Sequence, residues 1–185
     1  MHILSFFYGH LMQQTCLGIV GWSGSGKTTL LEQLVQHLVQ ADYKIGVIKH
    51  SHHDVILEPE HKDTARLRRA GAAQVMLASP YRIALVDELR GRAEPSLAEL
   101  LARLDPADLV LVEGYKWAAI PKLEVWRPAL GKPALYLDDA WIKVVASDSP
   151  RPNDGLHREL LWLDLNDVLS ILSFVRGLID KSDHR

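Results

Sequence analysis

An α/β fold with a mainly parallel central sheet is the architecture this sequence predicts, and three observations carry that expectation. Strand-like apolar runs alternate with helix-like stripes along the chain, the pattern of linked strand–helix–strand units. One run, Leu109-Val110-Leu111-Val112, is purely aliphatic, as expected of a central strand buried on both faces. A glycine-rich loop stands between the first strand and the first helix, and such sheets gather ligands at the carboxyl ends of their strands.

The elements follow in order. Cys16 to Val20 is a short apolar strand. Lys27 to Ala41 places Leu30, Leu31, Leu34, Val35, Leu38 and Val39 on one helical stripe. Lys44 to Lys49 is a second strand, and residues 61–71 a short basic helix stopped by Gly71. Gln74–Ala78 and Arg82–Asp87 read as two strands joined by Ser79-Pro80-Tyr81. Pro95 opens a helix through Arg103, and Leu123–Trp126 and Ile142–Ala146 are further strands. A last helix covers about 167–180, with Asp164 before it or at its cap, and the most loop-like stretch is 147–156.

A length of 185 residues suits one domain, read here as 12–185, preceded by an extension over 1–11. A net charge of −2 argues against a nucleic-acid binder, which usually carries a basic excess. The single cysteine, Cys16, excludes an intramolecular disulfide and fits a reducing compartment. No run reaches the ~18 apolar residues of a membrane span, and the apolar N-terminus lacks the basic start of a signal peptide. A cytoplasmic location is the default expectation.

Gly21-Trp22-Ser23-Gly24-Ser25-Gly26-Lys27-Thr28 matches G-x-x-x-x-G-K-[ST] at every fixed position, between a strand and a helix. The glycines let successive N–H groups turn toward an anion, and the helix dipole adds to them. Lys27 reaches the β- and γ-phosphates, and the Thr28 hydroxyl is placed to hold Mg²⁺. The expectation is therefore a three-layer P-loop NTPase. Its metal needs a second acid at the carboxyl edge of a neighbouring strand. Asp108-Leu109-Val110-Leu111-Val112-Glu113 offers Glu113 at that edge and Asp108 at the opposite one. No N-K-x-D motif is present. The strand that ends in Ser147-Asp148 instead offers a carboxylate to guanine N1–H and N2 amino donors, which adenine lacks, although Asp148 also suits a simple turn.

Other clusters are less specific. Lys49-His50-Ser51-His52-His53-Asp54 has imidazoles at the spacing of a partial metal site, or of a substrate or partner contact. Lys62, Arg66 and Arg69 share one helical face that suits a second anionic ligand, and Asp63 could approach the metal through water or cap its helix. Tyr115, Lys116, Pro121 and Lys122 follow Glu113 on the same edge. Trp117 and Trp126 lie near it, as core, surface or a subunit interface.

Together these stretches resemble the molybdopterin-guanine dinucleotide biosynthesis adapter (MobB) family. The matching segments are GWSGSGKTTLL over 21–31, IKHSHHD over 48–54, KDT over 62–64, RLRRAGA over 66–72, DLVLVEGYK over 108–116 and ASDSP over 146–150. The order of IKHSHHD and LVEGYK is far more specific than the phosphate loop alone. The family commonly has Phe where Tyr115 stands, and residues 1–11 have no counterpart. The resemblance implies a cytoplasmic, homodimeric, GTP-binding protein with weak GTPase activity and Mg²⁺. It also implies partnership with the molybdopterin guanylyltransferase that joins GMP to molybdopterin, and with molybdopterin carrier proteins. The phosphate-loop role carries onto Gly21, Ser23, Gly24, Ser25, Gly26, Lys27, Thr28 and Thr29. The acidic motif carries onto Glu113, which makes Lys27 and Glu113 the catalytic candidates. Asp148 and the contacts of His50, His52, His53, Asp54, Lys62, Asp63, Arg66, Arg69 and Lys116 are not settled by it.

Two other readings compete. A small-molecule P-loop kinase would seat its acceptor near His50–Asp54 and use Asp54 or Glu113 as base. A metallochaperone GTPase would deliver nickel or zinc through His50, His52 and His53.

Overall fold

The structure, a computed structural model, describes residues 14–51, 53–153, 155 and 159–182. The proposed extension over 1–11, and His52, lie outside the described residues. The chain divides into two compact units. One runs up to His50 and resumes at Leu97; the other is Ser51–Ser96.

The first unit holds a six-stranded sheet whose pairings are all parallel. Its strands are β1 (Cys16–Val20), β2 (Ile45–Lys49), β5 (Leu109–Glu113), β6 (Lys122–Trp126), β7 (Ile142–Ser147) and β8 (Leu161–Asp164). In space they run β2-β5-β1-β6-β7-β8. Every residue of β1 and β5 is buried, as the aliphatic run predicts. On one face α1 (Lys27–Gln40) and α4 (Val168–Ser182) pack on Leu17, Ile19, Leu109, Leu111, Leu123 and Val125. The stripe of α1 reaches that core through Leu30, Leu31, Leu34 and Leu38. Each fully buried leucine contributes ~1.5–3 kcal/mol of transfer free energy. On the other face α3 (Leu97–Leu101) sets Leu101 against Cys16, Val110 and Val112. Two 3₁₀ turns follow β6, Pro128–Leu130 and Leu135–Leu137, and the second contributes Leu135 and Tyr136 to a cluster with Val20, Ile142 and Val145. The result is the three-layer architecture, helices on both sides of a parallel sheet.

The second unit contains α2 (Asp63–Arg69) and an antiparallel hairpin of β3 (Gln74–Ala78) and β4 (Ile83–Asp87). Register sets Met76 opposite Leu85 and Ala78 opposite Ile83, so Met76, Ile83 and Leu85 share one face. All three are exposed.

Strand β8 is an element the sequence reading lacks. It pairs only with β7, at the edge of the sheet, and its side chains are half-buried or exposed. Its short Leu-Trp-Leu-Asp run therefore shows no buried stripe. Helix α3 is shorter than the stretch Pro95–Arg103 suggests. Asp164 precedes the last helix, and Asp167 caps it by accepting from the Ser170 N–H at 3.2 Å. Asp108 sits at the edge opposite the loop, where its carboxylate accepts the Lys44 N–H at 2.6 Å and fastens β2 to β5.

Candidate functional site

The phosphate loop follows β1 at the carboxyl edge of the sheet. Gly21 has φ +145°, and a Cβ there would lie 2.4 Å from the Val125 carbonyl oxygen. Only glycine fits that approach. The turn closes as the Ser25 N–H donates to the Trp22 carbonyl at 3.1 Å. Gly26, at φ +96°, begins α1, so the open N–H groups of the first helical turn face the loop. Ser23, Gly24, Thr28 and Thr29 are exposed, while Ser25 is buried and its hydroxyl has no hydrogen-bond partner among the described residues.

Lys27 bends back so that its ammonium donates to the Trp22 carbonyl at 2.8 Å. Burial lowers its pKa from the usual 10.5; Glu113 opposes that shift, and the charges of Lys116 and Lys49 add to it. Three lysines therefore share the one carboxylate of Glu113 at this edge, a setting in which a further anion lowers their mutual repulsion.

Register in the sheet brings Glu113 to the loop. Strand β5 lies beside β1, with Ile19 level with Glu113. The Thr28 hydroxyl donates to Glu113 Oε1 at 3.1 Å, and Lys49 Nζ lies 3.1 Å from Glu113 Oε2. A hydroxyl and a buried carboxylate side by side form the hard oxygen pair that suits Mg²⁺. After Glu113 the chain turns sharply through Gly114 at φ +92° and Tyr115 at φ +48°. A Cβ on Gly114 would meet His50 Cβ at 2.9 Å. That close approach lays the His50 ring against Tyr115, centroids 4.5 Å apart. Lys116 then reaches over the Trp22 indole, its ammonium 3.9 Å from the ring centroid. Lys122, buried on β6, holds this segment by donating to the Lys116 carbonyl at 2.6 Å, and it pairs with buried Asp139.

Asp148 follows β7, two strands from β1. Its carboxylate pairs with Arg127, whose Nη1 lies 2.6 Å from Oδ2. Arg127 Nε also donates to the Ser25 carbonyl at 3.0 Å. Lys49 and Arg127 are site residues that the sequence reading lacks. Lys49 had one available signal, its place at the end of a strand beside the acidic one; nothing local marked Arg127.

The remaining candidates divide between the two units. His50 and Lys116 belong to the first. His53, Asp54, Lys62, Asp63, Arg66 and Arg69 belong to the second, and all six are exposed. Asp63 makes no side-chain cap and pairs with Arg66 at 3.3 Å, while Arg69 pairs with Glu60 at 3.3 Å. Among the described residues no three His, Cys, Asp or Glu side chains gather as a metal site.

A parallel three-layer sheet with this loop, lysine, threonine and facing acid places the chain in the P-loop NTPase class. The family model described as molybdopterin guanine dinucleotide synthesis protein B (MobB) matches residues 16–148, and the chain belongs to that family. It is 40% identical over 170 residues to the molybdopterin-guanine dinucleotide biosynthesis adapter protein of Escherichia coli, covering 90% of this chain and 94% of that one. It is 40% identical to the Haemophilus influenzae adapter protein, over 87% of each chain. A crystal structure of molybdopterin-guanine biosynthesis protein B superposes with a TM-score of 0.67 at 26% identity, over 88% of this chain and 99% of that one. The MobB homologue from Bacillus stearothermophilus shares the fold, with a TM-score of 0.64 at 24% identity over 90% and 98%.

Proposed function

We propose that this chain is a GTP-binding adapter with slow GTPase activity that assists the attachment of GMP to molybdopterin. The observation that carries the proposal is the Thr28–Glu113 contact beside a complete phosphate loop, in a chain of the MobB family. Lys27 would hold the β- and γ-phosphates; Thr28 and Glu113 would hold Mg²⁺, which offsets charge on the phosphate oxygens. Backbone N–H groups from Gly21 to Thr29, with the side chains of Ser23 and Ser25, would line the phosphates. Asp148 would read the guanine edge. Among the described residues Glu113 is the acid beside the loop, and it is engaged by Thr28 and Lys49; its proposed role as a metal ligand favours binding with slow hydrolysis over rapid transfer to a second substrate.

The proposed partners are the molybdopterin guanylyltransferase and molybdopterin carrier proteins. Exposed His53, Asp54, Lys62, Asp63, Arg66 and Arg69, with His50 and Lys116, are the candidate contacts. A homodimer is part of the proposal, and the exposed apolar face of Met76, Ile83 and Leu85 supports it, because a lone two-stranded hairpin is marginal without cover. We read 12–185 as one nucleotide-binding domain in which 51–96 is carried as an insertion. A cytoplasmic site of action fits this work, and among the described residues no helix is long and apolar enough to cross a membrane.

Calorimetric titration of the purified protein with GTP and then ATP, each with Mg²⁺, tests the reading. A clear GTP preference is expected. Equal or tighter ATP binding overturns it.

A further inference from the structure

Arg127 is the one described side chain that hydrogen-bonds both a phosphate-loop carbonyl and the carboxylate at the end of β7. Its root is firmly set. Trp126, just before it, packs edge-on against Tyr136 and Trp162, with centroids 6.1 and 5.8 Å away. Pro128, just after it, restricts Arg127 to extended backbone, observed at φ −122° and ψ 110°. From there the guanidinium extends to the Ser25 carbonyl through Nε and to Asp148 through Nη1. Its Nη2 passes 3.7 Å from the place a Cβ would take on Gly26. The side chain remains 35% exposed, so the charge is not walled off from a ligand at the loop.

The chemistry of the guanidinium gives this bridge a consequence. Its donors sit in a rigid plane, so the position of the Ser25 carbonyl and that of the Asp148 carboxylate cannot vary independently. A carboxylate oxygen has two lone pairs. Asp148 Oδ2 can therefore stay on Arg127 and still accept from a base, in an orientation that Arg127 sets. Without that restraint Asp148 would turn freely, since its other local bond is a long 3.4 Å contact from the Ser149 hydroxyl.

We infer that Arg127 is a positioning residue for base selection, a brace that aligns Asp148 with the phosphate loop so that the guanine edge and the triphosphate are recognised in one geometry. The inference rests on the reading of Asp148 given above. It predicts that loss of the fork weakens discrimination between bases, not only affinity.

The test is the ratio of GTP to ATP affinity, each with Mg²⁺, in the full-length protein and in Arg127→Lys, Asp148→Ala and the double variant. Lysine keeps the charge but lacks the rigid planar fork that ties the two partners to one geometry. The expected result is a ratio lowered about five- to tenfold by Arg127→Lys, with no further effect of that change in the Asp148→Ala background. A residue that merely stabilised the loop would lower both affinities equally and leave the ratio alone. Arg127→Gln, read the same way and checked by thermal melting, guards against a folding defect in the lysine variant. If Asp148→Ala lowers the ratio and neither Arg127 variant does, the brace is refuted while the base reading stands. If Asp148→Ala leaves the ratio intact, the base is read elsewhere and the brace falls with that reading.

Discussion

The unit that carries the phosphate loop and the unit formed by Ser51–Ser96 are held together by different forces. In the first, β1 and β5 are buried along their whole length, and α1 and α4 close one face with leucine, isoleucine and valine. In the second, Ala65 is the only buried apolar side chain among the described residues. Its order comes from arginines. Arg68 pairs with Glu58 at 2.9 Å and with Glu88 at 2.8 Å, and Arg90 donates to the carbonyls of Arg68, Gly71 and Ala72. Ion pairs near water contribute little each, and a hairpin with bare apolar faces needs a cover. The contrast separates two kinds of scaffold: one closed by apolar packing, which carries the phosphate loop, and one stitched by charge, with most of its side chains exposed.

The largest effect expected from this division belongs to Lys27. Its replacement by alanine should cost GTP affinity about 100-fold, the scale of a charge-assisted phosphate contact. The melting temperature should hardly move, because among the described residues the side chain donates to the Trp22 carbonyl alone. Calorimetry and a thermal melt check the two halves. Unchanged affinity would remove the phosphate-loop assignment and with it the idea that the frame carries the site.

The next change addresses the other unit. If the proposed homodimer is built on the hairpin, glutamate at both Met76 and Leu85, which face each other across it, should make the protein monomeric at micromolar concentration while GTP affinity stays within about twofold. Sedimentation velocity reads the first and titration the second. A dimer that survives both charges must be built on another surface.

Glu124 measures how far the frame depends on a buried charge. Wholly buried on β6, it accepts the N–H groups of Leu135 and Tyr136, each at 2.8 Å. Burial raises its pKa above the usual 4.5, and the two N–H donors pull the other way. A raised acid binds its proton more tightly folded than unfolded. This group's contribution is therefore greatest below pH 4.5 and declines as pH rises through the folded pKa. Glu124→Gln sets an amide against two donors and should cost about 1–3 kcal/mol. The wild-type advantage should shrink from pH 4 toward neutrality. Chemical denaturation at several pH values follows both, and an advantage that grows with pH would contradict the direction of the shift.

Much of the frame was legible because its rules are local. The aliphatic run of β5 admits few alternatives, and the loop motif restricts residue type at each fixed position. What escaped was set by register between distant segments. Nothing in Lys-Leu-Glu-Val-Trp tells that Lys122 and Glu124 are buried, the first against Asp139 and the second against the turn at Leu135. Nothing local to Arg127 singles it out, and only the pairing of β6 with β7 brings it between Ser25 and Asp148. In the charge-stitched unit the hairpin was readable from its two apolar runs. The purpose of Lys62, Arg66 and Arg69 was not, since a shared basic face looks the same whether it meets solvent or a ligand.

That face gives the smallest effect on the chain itself. Arg66 and Arg69 pair with exposed Asp63 and Glu60 at 3.3 Å, and Lys62 is exposed beside them. Substitutions at such positions usually change stability by less than about 0.5 kcal/mol. Lys62, Arg66 and Arg69 changed together to alanine should therefore leave the melt nearly unmoved and GTP affinity within about twofold. On the proposal that these cations meet a molybdopterin guanylyltransferase, stimulation of that enzyme should fall by a larger factor. Equal losses of GTP affinity and of partner stimulation would place these cations in the nucleotide site, and the two units would then share one task instead of dividing two.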